Sequence, residues 1–286
     1  MTVYKGVTVL DKQMTTADES FKQKAKKRKR KKRLLILKIF LLLVLLGTTI
    51  VLVAFSPLFN IKTIKVKGNQ HYKEDDIAVV TSLYPGLNGF KSIGNSFTGF
   101  FLLRYGQEET KLIKSLPYLK SAIVKYIPPS SIQITVIERK PMGIAAYMGA
   151  VLVIDREGYV IDILNKGQAR DLPEINGLKY DRYELGSRLV TSVPDAVKNV
   201  AILLDTIMDS DENGELKLYP IVNSVNVEGK ISIFVDSRIK VNIGDLRDLN
   251  YKISYLKQIL LKGIKKEEKG LLDFTSGQNP NFIPEK

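Results

Sequence analysis

Eight consecutive basic residues, Lys26, Lys27, Arg28, Lys29, Arg30, Lys31, Lys32 and Arg33, lead directly into an apolar run from Leu34 to Phe55 that only Lys38 interrupts. As a helix this run is about 33 Å long, against about 30 Å for the hydrocarbon core of a bilayer. Gly47, Thr48 and Thr49 are tolerated inside such a segment. Lys38 lies one turn from the basic end and can snorkel to the headgroups.

Three readings of this stretch compete. A cleaved secretory signal has a short basic start and an apolar core of about 7–15 residues. Here 33 residues precede a longer core, and Pro57 follows the small-x-small pattern of Ala54-Phe55-Ser56. A nuclear-localisation or nucleic-acid patch is the second reading of the basic run. The third, and simplest, is a single-pass anchor over residues 34–56. The positive-inside rule then leaves 1–33 as a cytoplasmic tail and sets everything from residue 57 outside. The basic run would also hold anionic headgroups, at about 1 kcal/mol per Lys or Arg near the surface. Residues 1–25 are polar and aperiodic, which predicts disorder.

Charge follows the same division. The formal net charge is +14, but residues 1–33 hold twelve Lys or Arg against three Asp or Glu, and residues 56–286 hold 31 against 27. The outer segment is only mildly basic and shows no stripe for nucleic acid. The absence of cysteine excludes disulfides, Cys-ligated zinc and Cys nucleophiles, and a single histidine, His71, thins the acid–base and metal options. Neither a cofactor nor a metal site is expected.

Beyond the anchor, Phe59–Asn69 reads as a strand ending in a Gly68-Asn69 turn. A helix follows, with Glu74, Asp75 and Asp76 at its favourable N-terminus, Ile77, Val80, Leu83 and Tyr84 on one face, and Pro85 closing it. Residues 86–104 carry four glycines and read as a loop, with Phe100–Leu103 expected to be buried. A short amphipathic helix over 107–117 and strands over 119–129 and 131–141 complete a β-α-α-β-β unit. After Pro141, residues 145–164 predict two or three strands with a turn at 155–158. Residues 192–209 predict a helix capped by Ser192 and striped by Val197, Val200, Leu204 and Ile207. Three short strands fall in 222–244. A second helix in 245–262 has Leu246, Leu249, Ile253, Leu256 and Leu260 on one face, and a last strand occupies 271–277. The fold class is therefore α+β, with a mainly antiparallel sheet and two helices behind the first unit. The expected domains are 57–141 and 142–277, with 278–286 as a polar tail.

Ser254-Tyr255-Leu256-Lys257 matches S-x-x-K, the nucleophile motif of penicillin-binding proteins, but has no K-T-G or S-D-N companion. The helical stripe sets Leu256 inside and Lys257 outside. Gly94–Gly99 lacks the G-K-[ST] of a phosphate loop, and His71, Asp155/Glu157 and Asp209/Asp211/Glu212 read as solvated turn residues.

The β-α-α-β-β order directly behind an anchor resembles a POTRA domain, and the wider chain resembles the FtsQ/DivIB family of bacterial cell-division proteins. The residues that carry the likeness form an ordered set. They are the 59–69 strand, Ile127-Pro128-Pro129 leading into Ile132-Gln133-Ile134-Thr135-Val136, Glu138-Arg139-Lys140-Pro141, the 151–160 hairpin with Asp155 and Gly158, and Leu172-Pro173-Glu174-Ile175-Asn176-Gly177. The resemblance covers roughly residues 26–276. It implies a non-enzymatic septal scaffold that docks FtsL-like and DivIC/FtsB-like membrane partners, and acts indirectly on septal peptidoglycan synthases. Leu272, Asp273, Phe274 and Thr275 would line that contact, whereas Asn279-Pro280-Asn281-Phe282 departs from the family's pattern. Two other classes remain open, a POTRA-bearing chaperone or translocation component and a cell-wall enzyme.

Overall fold

The computed structural model describes residues 4–91, 93–94, 97–165, 171–193, 195–212, 214–276 and 279–285, with side chains from residue 29 onward except Phe97. The side chains of Lys26, Lys27 and Arg28, and residues Asn95, Ser96 and Gly277, lie outside this description.

The first helix, α1, runs from Tyr4 to Ala54. Its Lys29–Ala54 part is long and apolar enough to cross a membrane, and none of its most apolar window is buried in the protein. The backbone of 4–25 is helical where disorder was expected. Adding a residue to a formed helix needs no new nucleus, so a long apolar helix extends readily into a polar flank. Pro57 and Phe59 bound a single 3-10 turn at its exit.

The first folded unit contains strands β1 (Thr63–Lys67), β2 (Leu119–Ile127) and β3 (Ser131–Glu138), and helices α2 (Glu74–Val80), α3 (Phe97–Phe101) and α4 (Gly106–Ser115). The sheet order is β1-β3-β2, with β1 parallel and β2 antiparallel to β3. Strict alternation buries Ile132, Ile134 and Val136 of β3, as the sequence predicts. Ile77 of α2 and Leu112 of α4 pack on the same core as Val66, Val124 and Tyr126. Helix α2 stops at Val80 rather than at Pro85. The Thr81 hydroxyl donates to the Ala78 carbonyl at 2.7 Å and Thr81 turns extended, which ends the helix and lets Leu83 enter the core. Phe100, Phe101 and Leu102 are exposed, against the expectation of burial, while Leu103 is partly buried and packs on the core.

The turn after β1 leaves no room for a side chain. Gly68 has φ +88°, and a Cβ there would collide with the Val136 carbonyl of β3. Gly68→Ala is therefore expected to cost more than about 2 kcal/mol, from left-handed strain plus displacement of β3. Thermal unfolding of the purified chain checks this.

The second unit holds β4 (Pro141–Tyr147), β5 (Ala150–Asp155), β6 (Val160–Asn165), β7 (Glu174–Asn176), β8 (Val222–Asn226), β9 (Ile231–Val235), β10 (Ile239–Gly244), β11 (Gly270–Asp273) and β12 (Asn281–Pro284). Helices α5 (Ala196–Glu212) and α6 (Leu249–Gln258) complete it. One nine-stranded sheet results, ordered β12-β11-β10-β9-β8-β7-β4-β5-β6. Five of its pairings are antiparallel, and β4–β7, β7–β8 and β10–β11 are parallel. The helix stripes are as expected: Val197, Val200, Leu204 and Ile207 of α5, and Leu249, Ile253 and Leu256 of α6, are buried. They cover Val225, Ile233 and Val241 of the sheet. The opposite face stays open, where the cross-strand row Phe234–Lys240–Leu271–Ile283 reaches solvent. Ser192 is not the cap of α5, which starts at Ala196; the Ser192 N–H instead donates to the Lys179 carbonyl.

Candidate functional site

The features most open to a partner among the described residues are backbone edges and exposed faces. Among the described residues the two sheets have four edges, and three of them are covered, charged or tied down at one end. The outer edge of β2 is covered by 103–109: Tyr126 N–H donates to the Leu103 carbonyl, Tyr105 N–H to the Val124 carbonyl, and Val124 N–H to the Glu109 carboxylate at 3.0 Å. The β1 edge is flanked by exposed Lys62, Lys65 and Lys67, which oppose strand addition by charge and solvation. The start of β6 is tied down, because Val160 N–H donates to Ser187 and Gly186 N–H to the Val160 carbonyl.

The remaining edge is β12, where a polar tail was expected. It pairs antiparallel with β11, Leu271 opposite Ile283 and Asp273 opposite Asn281, and Glu285 N–H donates to the Lys269 carbonyl. Antiparallel alternation then turns the Phe282 N–H and the carbonyls of Phe282 and Pro284 outward. Pro284 has no N–H, so the outward edge carries one main-chain donor, that of Phe282. This edge was missed because only Phe282 and Ile283 favour a strand, between Asn279-Pro280 and Pro284. The alternation Asn281-Phe282-Ile283 after an Asn-Pro turn was the available signal.

The four residues first expected at the contact lie on β11 and in the turn directly after it. Strand β11 is paired on both sides, by β10 and β12, and has no open edge. Leu272 is buried in the core. Asp273 closes the turn after β11, accepting from Thr275 N–H at 2.9 Å, Thr275 Oγ1 at 2.8 Å and Ser276 Oγ at 2.6 Å. Those bonds, led by the one from Ser276, hold its carboxyl below the usual range. Phe274 packs against the core, and its N–H donates to the Asn242 carbonyl. Thr275 stands against Gly244.

The acidic turns are not simply solvated. Asp155 is buried and receives Arg139 Nη1 at 2.6 Å, while the same Nη1 reaches Glu157 at 2.8 Å. Lys120 also pairs with Glu157, and the Arg139 guanidinium lies 3.6 Å from the centre of the Tyr159 ring. Bonds from Lys120 and then Arg139 hold the Glu157 carboxyl low. Tyr118 donates to Asp162 at 3.1 Å, and its ring stacks on His71 at 3.6 Å. These groups join β2 and β3 of the first unit to the β5–β6 hairpin of the second, over a small shared core of Tyr118, Val153 and Ile161. Arg139 and Asp155 were both legible as residues of the family pattern, but their pairing was not.

The S-x-x-K pair is also resolved. Lys257 is buried and bonds Asp211 at 2.7 Å and the Ser210 carbonyl at 2.8 Å, whereas Ser254 is exposed. Lys257 is thus committed to α5 and does not serve Ser254 as a base.

A family profile described as "POTRA domain, FtsQ-type" matches residues 59–139. The chain is 26% identical over 242 residues to cell division protein DivIB of Clostridium tetani, covering 82% of this chain and 84% of that relative. It is 27% identical over 243 residues to DivIB of Clostridium botulinum strain Hall, covering 85% and 88%. This chain carries an FtsQ-type POTRA domain and is similar to DivIB cell-division proteins over most of its length. Cell division protein FtsQ of Syntrophotalea carbinolica is 26% identical over 182 residues, covering 60% of each chain. The FtsQ-type POTRA unit is the one built from β1, α2, α4, β2 and β3, and it begins five residues after α1 ends.

Proposed function

We propose that this protein is a non-enzymatic scaffold of bacterial cell division. It is held by one membrane helix, with its basic segment in the cytoplasm and both folded units outside, at the septum. Lys26–Arg33 fix that orientation and lie against anionic headgroups. Extended segments of FtsL-like or DivIC/FtsB-like membrane partners add to the β12 edge as a further strand. Through that pair the protein positions the septal peptidoglycan synthases indirectly. The observation that carries this reading is the conjunction of an FtsQ-type POTRA unit set on a membrane-crossing helix with an open backbone edge at β12.

Two variants of one residue test the edge. Phe282→Ala and Phe282→Pro both remove the ring, but only proline removes the outward N–H. Co-purification of the full chain with a coexpressed DivIC/FtsL-type pair is expected to survive the alanine and be lost with the proline. Equal retention by both would remove strand addition at β12 from the account.

A further inference from the structure

Among the described residues outside α1, five Phe or Tyr are more than half exposed: Phe55 directly follows the helix, Tyr251 lies on α6, and Tyr84, Phe100 and Phe101 belong to the segments at one end of the POTRA unit. That end is where α1 emerges. The Asn88 carboxamide donates to the Ala54 carbonyl at 3.1 Å and reaches the Ser56 carbonyl at 3.4 Å, so the 86–90 loop closes directly on the last turn of the helix. Ile61 N–H donates to Leu87, Gly89 N–H to Phe59, and Gly86 N–H to Ile61, which fixes the loop beside the exit segment. The Tyr126 hydroxyl donates to the Phe59 carbonyl at 3.0 Å, and the Tyr126 N–H donates to Leu103. Helix α3 and Leu102 are thereby hung from the end of β2 that faces the membrane.

The exposures at this foot are 57% for Phe100, 66% for Phe101 and 53% for Leu102. Leu58 and Phe55, also exposed, continue the apolar surface onto the spanning helix itself. Lys62, Lys91 and Lys125 are exposed on the surrounding loop and strand ends. Aromatic and aliphatic groups next to a spanning helix, bordered by lysines, match the depth profile of a lipid interface.

We propose that the α3 tip inserts into the outer interface of the bilayer that α1 crosses, making a second membrane contact that holds the POTRA unit down on the lipid. The occupant is the phospholipid surface, with the ring edges and Leu102 at the headgroup–acyl boundary and the lysines on phosphate. This inference rests on the reading of α1 as membrane-spanning. A tethered but freely tumbling POTRA unit would have no use for three bulky apolar groups at this place. Seated on lipid, the unit would present the sheets above it in a fixed orientation.

The chain has no cysteine, so single thiol labels can be placed cleanly. The full chain is reconstituted into phosphatidylcholine/phosphatidylglycerol nanodiscs with an environment-sensitive fluorophore at Leu102→Cys, Leu43→Cys or Val190→Cys, and brominated lipids serve as quenchers. Leu43 reports the span, and Val190, 82% exposed on the second unit, reports water. The expected result is quenching at residue 102 several-fold above that at 190, with 43 quenched most. Adding Phe100→Asp and Phe101→Asp should bring residue 102 down to the level of 190 and leave 43 unchanged. Residue 102 as unquenched as 190, with 43 still quenched, overturns the proposal while sparing the span. No quenching at 43 removes the span and the proposal with it.

Discussion

Asp211→Ala is expected to destabilise the second folded unit by about 3–5 kcal/mol, the usual cost of stranding one partner of a buried ion pair. Asp211 is the anchor at the end of α5. One carboxylate oxygen accepts from Leu218 N–H at 2.9 Å and from Lys257 at 2.7 Å, and the other accepts from Tyr219 N–H at 2.7 Å. Alanine would leave the Lys257 ammonium, on α6, inside the protein with only Ser210 oxygens. It would also strip two main-chain donors of their acceptor. Urea unfolding of the full chain in detergent, following the transition of this unit, measures the loss. A loss below about 1 kcal/mol, the range of exposed pairs, would contradict the burial described.

The same pair predicts a pH dependence. Burial raises the Asp211 carboxyl, but bonds from Lys257, Leu218 and Tyr219 outweigh it, and the net shift is downward from 3.8. A depressed folded value contributes stability that is full above the ordinary value and is lost as pH falls through the folded one. The stability gap between wild type and Asp211→Asn should therefore hold near neutrality and narrow below pH about 3–4. A gap that widens in acid would reverse the assigned sign.

Arg139→Ala is expected to have a comparable effect at the junction of the two units, again about 3–5 kcal/mol, because it leaves the Asp155 carboxylate buried. The arginine meets two carboxylates and stacks on Tyr159, a set that a lysine cannot reproduce. Arg139→Lys should therefore fall between alanine and wild type. Amide hydrogen exchange across 138–141 supplies the local readout, with faster exchange in the order alanine, lysine, wild type. Lysine behaving as wild type would mean that charge alone suffices there.

How much of this was legible depended on whether local pattern or long-range pairing decided the outcome. Strict alternation placed β3, and helical stripes placed the inner faces of α5 and α6, because those residues report their own burial. Lys257 was misplaced because the stripe predicts position on the helix, while a cation is drawn inward only by a distant carboxylate, here Asp211, 46 residues away. Burial is expected of Phe100–Leu102 because an apolar run carries no mark of whether the fold covers it, and here it stays exposed. The open edge lies one strand beyond the expected one for a topological reason. The rim of a sheet is set by what comes last in space, and the short proline-bounded β12 covers the strand that the sequence made conspicuous.

A protein that works in division gathers where the cell divides, so its position in growing cells is the first thing to measure. A fluorescent fusion, shown to support growth in place of the native protein, should form a band at mid-cell that tightens with constriction. Uniform fluorescence around the membrane from the same functional fusion would contradict the division role and leave the family likeness as one of fold.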